Sequence, residues 1–324
     1  MSLDANGLAW YEPALRVILS EAQRSRRISA LRADKENIGK ETRTVPRICA
    51  GIVLYNPDPE RLKRNVAAAR SQAEEVFLCD NGSGNIGELR ALVSPGVTLL
   101  ENGENLGIAA ALNRLCREAL AKGYDWILTL DHDTVVPEDM IRKMAPYLDA
   151  EDTAILCPAV WYEGWRERPA EKDTAEEVTA CMTSGSLTRL SAWEKAGGFR
   201  EEFFIDFVDN EFCKKLRDRG YKVIRVNSCV MAHSLGEVRT VKLPLLGERK
   251  WSVHAPWRFY YMVRNNIVFI RENRKDLNMP KEWAKVMYIA ATGWLHTKQK
   301  RETLKYIRRG RRDAKKGVLG KMKA

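Results

Sequence analysis

Between Arg47 and Asp133 the chain alternates short apolar runs with polar, Asn/Asp/Gly-rich turns and helical patterns, and this alternation is what most restricts the fold. Arg47 to Tyr55 reads as a first strand. Asn56-Pro57-Asp58-Pro59 turns into a helical segment carrying Leu62, Val66 and Ala69 on one face. Glu75 to Asp80 is a second strand, closed by Asn81-Gly82-Ser83-Gly84-Asn85. Val97 to Leu100 is a third, followed by the loop Glu101 to Gly107 and an alanine-rich helix from Ile108 to Lys122. Trp126 to Asp131 is the fourth. Strands alternating with helices across short loops predict a mostly parallel sheet covered on both faces, with every Asn/Asp/Gly-rich loop on one edge.

The fourth strand ends in Asp131-His132-Asp133. If strand geometry persists, the two carboxylates point to the same side and His132 to the other. Converging carboxylates repel unless a metal ion, a sugar hydroxyl or a shared proton separates them. That edge is where open α/β sheets bind ligands. A solvated turn is the alternative use of the same residues.

Leu54-Tyr55-Asn56-Pro57, Asp80-Asn81-Gly82-Ser83, Glu104 to Asn113 and Asp131-His132-Asp133 resemble, in order and spacing, the nucleotide-sugar motifs of family-2 glycosyltransferases with the GT-A fold. Downstream, Ser184-Gly185-Ser186, Gly197-Gly198-Phe199, Phe204 to Cys213, His233 to Gly236 and Arg258 to Asn265 resemble the rhamnosyltransferase branch. The resemblance covers about residues 46 to 275. It implies a GT-A (nucleotide-diphospho-sugar transferase) fold: α/β, with a mostly parallel central sheet flanked by helices. The implied domains are an N-terminal helical extension (1–45), a catalytic domain (46–275) and a basic amphipathic C-terminal helical region (276–324).

The resemblance also implies roles. Tyr55 would stack on the base, with Asn56 and Asn81 beside it. Asp80 would read a pyrimidine imide, a pairing that suits an acceptor-only carboxylate, although an Asx-turn uses the same residue type. Asn105 and Gly107 precede a helix whose N-terminus favours an anion, or cap it; Asn113 lies further along that helix, on the donor side or at the surface. Asp131 would face ribose or sugar hydroxyls, and Asp133, with His233, would hold Mg²⁺ or Mn²⁺ on the diphosphate. Asp209 falls at the position of the catalytic base, with Glu211 supporting and Asp206 as the other carboxylate of that segment. Ser184 and Gly185 would pass under the acceptor sugar or pack tightly, Trp161 would stack on a sugar face or cover the core, and Arg258 and Arg264 would reach a diphosphate or serve the structure.

The activity implied is inverting, metal-dependent transfer of L-rhamnose from dTDP-β-L-rhamnose to a cell-surface polysaccharide or lipid-linked glycan. The alternatives are a UDP-hexose or UDP-galactofuranose transferase of the same fold, or a silent scaffold that binds nucleotide sugar or membrane.

Charge distribution bounds the partners. The net charge of +11 sits mainly at the C-terminus, where residues from Lys298 onward carry 12 Lys or Arg against Glu302 and Asp313. A near-neutral body with a cationic tail does not describe a nucleic-acid reader. Trp283, Met287, Ala290, Ala291 and Trp294 fall near helical spacing ahead of that run, a pattern that suits either an anionic membrane surface or packing on the body. A homo-oligomer stays open. No run is long and apolar enough to span a bilayer and no signal pattern opens the chain, so the expectation is a cytoplasmic protein, peripheral at the inner face of the cell membrane if the tail docks there. The 7 cysteines lack metal-ligand spacing and read as reduced core residues.

Overall fold

The computed structural model describes residues 45–163, 167–233, 238–243 and 247–323. The chain divides into two units, Met1–Pro46 and Arg47–Ala324. The N-terminal helical extension expected over residues 1–45 lies, but for Val45, outside the described residues.

The larger unit follows the alternation read from the sequence. Strand β1 (Ile48–Leu54) leads into α1 (Pro59–Arg70), whose start is fixed by Pro59 in the first turn and by Asp58, which accepts a hydrogen bond from the Arg61 N–H at 2.8 Å. There follow β2 (Val76–Asp80), α2 (Ile86–Arg90), β3 (Val97–Glu101), α3 (Ile108–Ala121), β4 (Trp126–Asp131) and α4 (Met140–Met144). The second half contributes β5 (Thr153–Tyr162), β6 (Ala175–Glu177), β7 (Ser186–Arg189), α5 (Leu190–Ala196), α6 (Val208–Arg217) and β8 (Lys222–His233). A hairpin, β9 (Val238–Leu243) and β10 (Gly247–Ser252), precedes three helices: α7 (Arg258–Glu272), α8 (Met279–His296) and α9 (Lys300–Lys316).

The main sheet runs in the order β3-β2-β1-β4-β7-β5-β8-β6. Strands β1 to β5 and β8 run one way; β7 and β6 run against them. The strand order reverses between β1 and β4, and a crevice opens at such a point beyond the C-terminal strand ends. Six strand ends deliver Leu54, Asp80, Glu101, Asp131, Tyr162 and His233 to that one edge.

Residue alternation splits the core. Cys49, Phe77 and Ile127 pack with α3, α5 and α6 on one face, while Ala50, Ile52, Leu78 and Leu128 pack with α1 and α4 on the other. All 7 cysteines are free thiols, and 6 of them are buried.

The C-terminal helices are part of the larger unit. The Tyr260 hydroxyl on α7 donates to Asp313 on α9 at 3.1 Å, and Arg271 donates to the Ala314 carbonyl at 2.8 Å. Beyond α9 the chain returns to the sheet edge. The Gly320 N–H reaches the Glu202 carbonyl at 2.7 Å, and the Met322 N–H reaches the Tyr261 hydroxyl at 2.8 Å.

Candidate active site

The rim over β1, β2 and β3 is held by short-range amide contacts. Asp80, 2% exposed, accepts the N–H groups of Gly82 and Ser83 at 3.1 to 3.2 Å, which is the Asx-turn use of this residue. Asn56 has φ 47°; its N–H donates to the Ser83 hydroxyl and its Oδ1 accepts the Gly84 N–H, both at 2.8 Å. Asn81 donates to Asn105 and to the Gly107 carbonyl, and accepts from Asn102 and from the Leu106 N–H. Asn105 in turn accepts the Gly107 N–H at 3.0 Å. These ties draw three loops into one rim, above which Tyr55 stands 47% exposed.

The acidic pair converges by a different route from the one strand alternation predicts. Strand β4 stops at Asp131, and a turn closed by Thr134 N–H to the Asp131 carbonyl carries Asp133 back toward it. Burial, and after it the neighbouring Asp133 carboxylate, push the Asp131 carboxyl up to about 6; His132, Arg258 and Ser184 partly offset this. The Ser184 hydroxyl accepts the Asp131 N–H and donates to Thr134, both at 3.0 Å, which fixes the turn. His233 ends β8 opposite Tyr162, whose ring meets the imidazole edge to face with centroids 6.0 Å apart. Burial, the largest effect, lowers the His233 pKa, with the Asp133 carboxylate opposing it and Arg61 adding to it. Trp161 is the residue before Tyr162 on β5, paired with Ala232.

The third component is the loop from Phe203 to Asp209. Phe204, Asp206 and Phe207 all have positive φ, 64°, 64° and 68°, a conformation that side chains with a Cβ rarely adopt. Long-range hydrogen bonds hold it. The Asn265 side-chain amide on α7 donates to the carbonyls of Phe203, Ile205 and Asp206 at 2.8 to 2.9 Å. Arg264, fully buried, donates to the carbonyls of Glu202 and Phe203 at 3.1 Å and to Gly320 at 2.6 Å. Phe204 also abuts the rim: its carbonyl accepts the Ile108 N–H at 2.7 Å, and a Cβ on Gly107 would lie 2.6 Å from that oxygen.

This loop presents Asp209 in the first turn of α6. Burial and then Asp206 push the Asp209 carboxyl up to about 6, against the lowering effect of the Asn210 N–H that donates to it at 2.9 Å. Asp206 is bound by Arg258 through two guanidinium nitrogens at 2.8 to 3.0 Å.

Several expectations need correction. Gly107, at φ 92°, packs its Cα against Phe204, where a Cβ would meet the ring and the carbonyl oxygen at 2.6 Å. Asn113 does not face a donor: both its N–H groups and its Oδ1 are engaged, by Phe199, Glu201 and Trp193. Glu211 does not support Asp209. Two residues along a helix the side chain points elsewhere, into a groove with Asn113, Arg200 and Lys215, where it is buried with Oε2 unpartnered. Arg264 binds backbone carbonyls and lies over the rings of Tyr260 and Tyr261, so it is no diphosphate ligand. Gly185 has φ 82° and faces the Met231 sulfur, the tight-packing use of the position. Arg258 is engaged by Asp206, yet its charge still reaches Asp131.

Sequence reasoning passed over Thr134, His254 and Trp257. His254 lies within electrostatic reach of Arg258 and Asp206, burial lowers its pKa, and Trp257 is 40% exposed beside Tyr261. A lone His and a lone Trp ahead of a helix give no spacing signal that would have found them.

Among the described residues no three His, Cys, Asp or Glu side chains come together as a set able to hold a metal ion. Asp133 lies within electrostatic reach of both Asp131 and His233, so oxygen and imidazole donors of the kind that divalent cations accept stand at this edge without forming a complete site of their own.

Residues 49–216 match the family described as Glycosyl transferase family 2. The dTDP-rhamnosyl transferase RfbF of Shigella flexneri is 29% identical over 246 residues, spanning 71% of this chain and 82% of that protein. The N-acetylglucosaminyl-diphospho-decaprenol L-rhamnosyltransferase of Mycobacterium tuberculosis is 24% identical over 233 residues, 56% of this chain and 74% of that one. Among solved structures, S. aureus TarS 1-349 in complex with UDP-GlcNAc superposes with a TM-score of 0.55 at 17% identity, covering 84% of this chain and 81% of that one. GalNAc-T7 with UDP, GalNAc and Mn²⁺ gives 0.50 at 14% identity, over 72% and 56%. These superpositions speak for the fold.

Proposed function

The chain belongs to glycosyl transferase family 2 and is a glycosyltransferase, and from that premise we propose that it transfers L-rhamnose from dTDP-β-L-rhamnose to a hydroxyl of a cell-surface or lipid-linked glycan. The observation that carries the choice of sugar is the 29% identity with a dTDP-rhamnosyl transferase over most of both chains.

The proposed chemistry is a single displacement. Asp209 takes the proton from the acceptor hydroxyl, whose oxygen attacks the anomeric carbon as the bond from that carbon to the diphosphate oxygen breaks on the opposite face. A carboxyl pushed up to about 6 by burial is a stronger base than an exposed aspartate and is still ionised at neutral pH. The Asp206–Arg258 pair fixes the loop beside it and sets a positive charge within reach of Asp131. On the donor side, Tyr55 offers a ring to the base, Asp80 an acceptor to the imide, and Asp131 an acceptor to ribose or sugar hydroxyls. A Mg²⁺ or Mn²⁺ held by Asp133 and His233 would neutralise charge on the departing diphosphate.

Calorimetric titration with dTDP-L-rhamnose and a panel of UDP-sugars, each with Mn²⁺ and with chelator, tests the assignment. Tighter binding of dTDP-L-rhamnose, lost with chelator, is the expected result. Preference for a UDP-sugar would replace the donor, and binding of none would overturn the reading.

A further inference from the structure

Helix α8 leaves an apolar stripe uncovered. Trp283 and Trp294 are each 40% exposed, Met287 69% and Leu295 54%, with Ala284 and Ala291 exposed between them. At 100° per residue, about what a 3.6-residue turn gives, these positions share one face. The opposite face of α8 is buried through Glu282, Val286 and Gly293. A contiguous exposed stripe with two tryptophans marks a contact surface.

The next helix supplies charge. On α9, Thr303, Gly310, Asp313 and Ala314 are buried, whereas Arg301, Lys305, Arg308, Arg312 and Lys315 are exposed at helical spacing on the far side. Of these five cations Arg312 alone is paired, with Asp313, among the described residues. Lys300 bridges the two helices, its ammonium 5.0 Å from the centre of the Trp294 ring. An aromatic stripe adjoining an unneutralised cation row is complementary to a surface that is apolar inside and anionic outside.

We propose that α8 and α9 together form a foot for an anionic lipid bilayer, with Trp283, Met287, Trp294 and Leu295 entering the interface and the α9 cations lying on the headgroups. No helix among the described residues is long and apolar enough to cross a membrane, so the contact is a surface one. Helix α9, of 17 residues, is about 25 Å long and runs directly into the segment whose Gly320 binds the Glu202 carbonyl next to the catalytic loop. The foot therefore holds that loop within about a helix length of the bilayer, the place of a lipid-linked acceptor. The identity of the acceptor as lipid-linked rests on the proposed function; the binding surface does not.

The test is flotation of the full chain with vesicles of phosphatidylcholine alone and with added phosphatidylglycerol, at low and high salt. The protein is expected to float with the anionic vesicles and to be released by salt. A Trp283→Ser/Met287→Ser/Trp294→Ser variant is expected to lose binding to the anionic vesicles. Arg301→Glu/Lys305→Glu/Arg308→Glu is expected to bind the anionic vesicles about 100-fold more weakly. Donor titration of both variants reports retained folding and separates failure of the foot from failure of the assigned function. Equal flotation of variants and parent would overturn the proposal. So would a parent that ignores anionic vesicles yet forms a dimer that the tryptophan variant dissociates, which would make a second copy the occupant.

Discussion

The rim over β1 to β3 and the loop from Phe203 to Asp209 lie against each other at Gly107 and Phe204, yet they are built on opposite plans. In the rim, Asn56, Asp80, Asn81 and Asn105 bond to one another's loops at the same sheet edge, and positive φ falls at Asn and Gly, where it is cheapest. In the Phe203–Asp209 loop, positive φ falls on two phenylalanines and an aspartate, and the compensating hydrogen bonds come from Arg264 and Asn265, about 60 residues further along. A self-supporting rim suits the binding of a donor. A loop whose shape is imposed from α7 and the C-terminal segment suits the positioning of a single reactive carboxylate.

The contact between the two regions is the most sensitive point. Gly107→Ala places a methyl against Phe204 in a backbone conformation unfavourable to alanine, and should displace the loop and lower kcat by about 10²-fold. Steady-state rates of dTDP release measure this, and a variant within about threefold of the parent would show the regions to be independent. Truncating one amide on each side sharpens the comparison. Asn265→Ala should lower kcat roughly 10-fold or more with donor affinity intact, whereas Asn81→Ala should weaken donor binding and spare kcat; both should cost about 1–3 kcal/mol of stability through unsatisfied buried carbonyls or amides, read as a lower Tm. Identical kinetic signatures would break the division of labour.

The pH dependence belongs to the loop. Burial raises the Asp209 pKa, so the active carboxylate forms only as pH passes about 6, and kcat/KM at pH 5 should be roughly a tenth of its plateau. The stability consequence has the opposite sign. The folded state holds this proton up to about 6 and the unfolded chain only to about 4, so ionisation destabilises the fold as pH rises through that interval. Asp209→Asn should therefore be more stable than the parent at pH 8, by on the order of 1–3 kcal/mol, with the difference vanishing near pH 4. Glu211→Gln carries the smallest expected effect. Its carboxylate lies in the groove beside Lys215, and kcat should stay within about threefold of the parent.

The same contrast explains what the sequence disclosed. Strand and helix order, the shared sheet edge and the Asn/Asp/Gly rim are local: β1 and α1 announce themselves through Asp58-Pro59 and apolar periodicity, and Asp131 through an apolar run ending in an acid. Long-range satisfaction was hidden. Nothing near Arg264 or Asn113 reveals that its partners lie some 60 to 90 residues away, so both looked like ligand-binding polar residues when they are buried ties. Glu211 was misread because two positions on a helix differ by about 200° in direction. Strand alternation does not carry Asp133 to the side of Asp131: β4 ends at Asp131, and the turn closed by Thr134 sets the position of Asp133.

The proposed reaction depends on Asp209 acting as base in a loop that does not itself bind donor. Its most direct test is a paired measurement on Asp209→Asn and the parent: calorimetric affinity for dTDP-L-rhamnose and, in the same preparations, the rate of dTDP release. Equal affinity with turnover reduced about 10²- to 10⁴-fold is the predicted result. Retained turnover would contradict the assignment of the base, and loss of both together would contradict the separation of rim and loop.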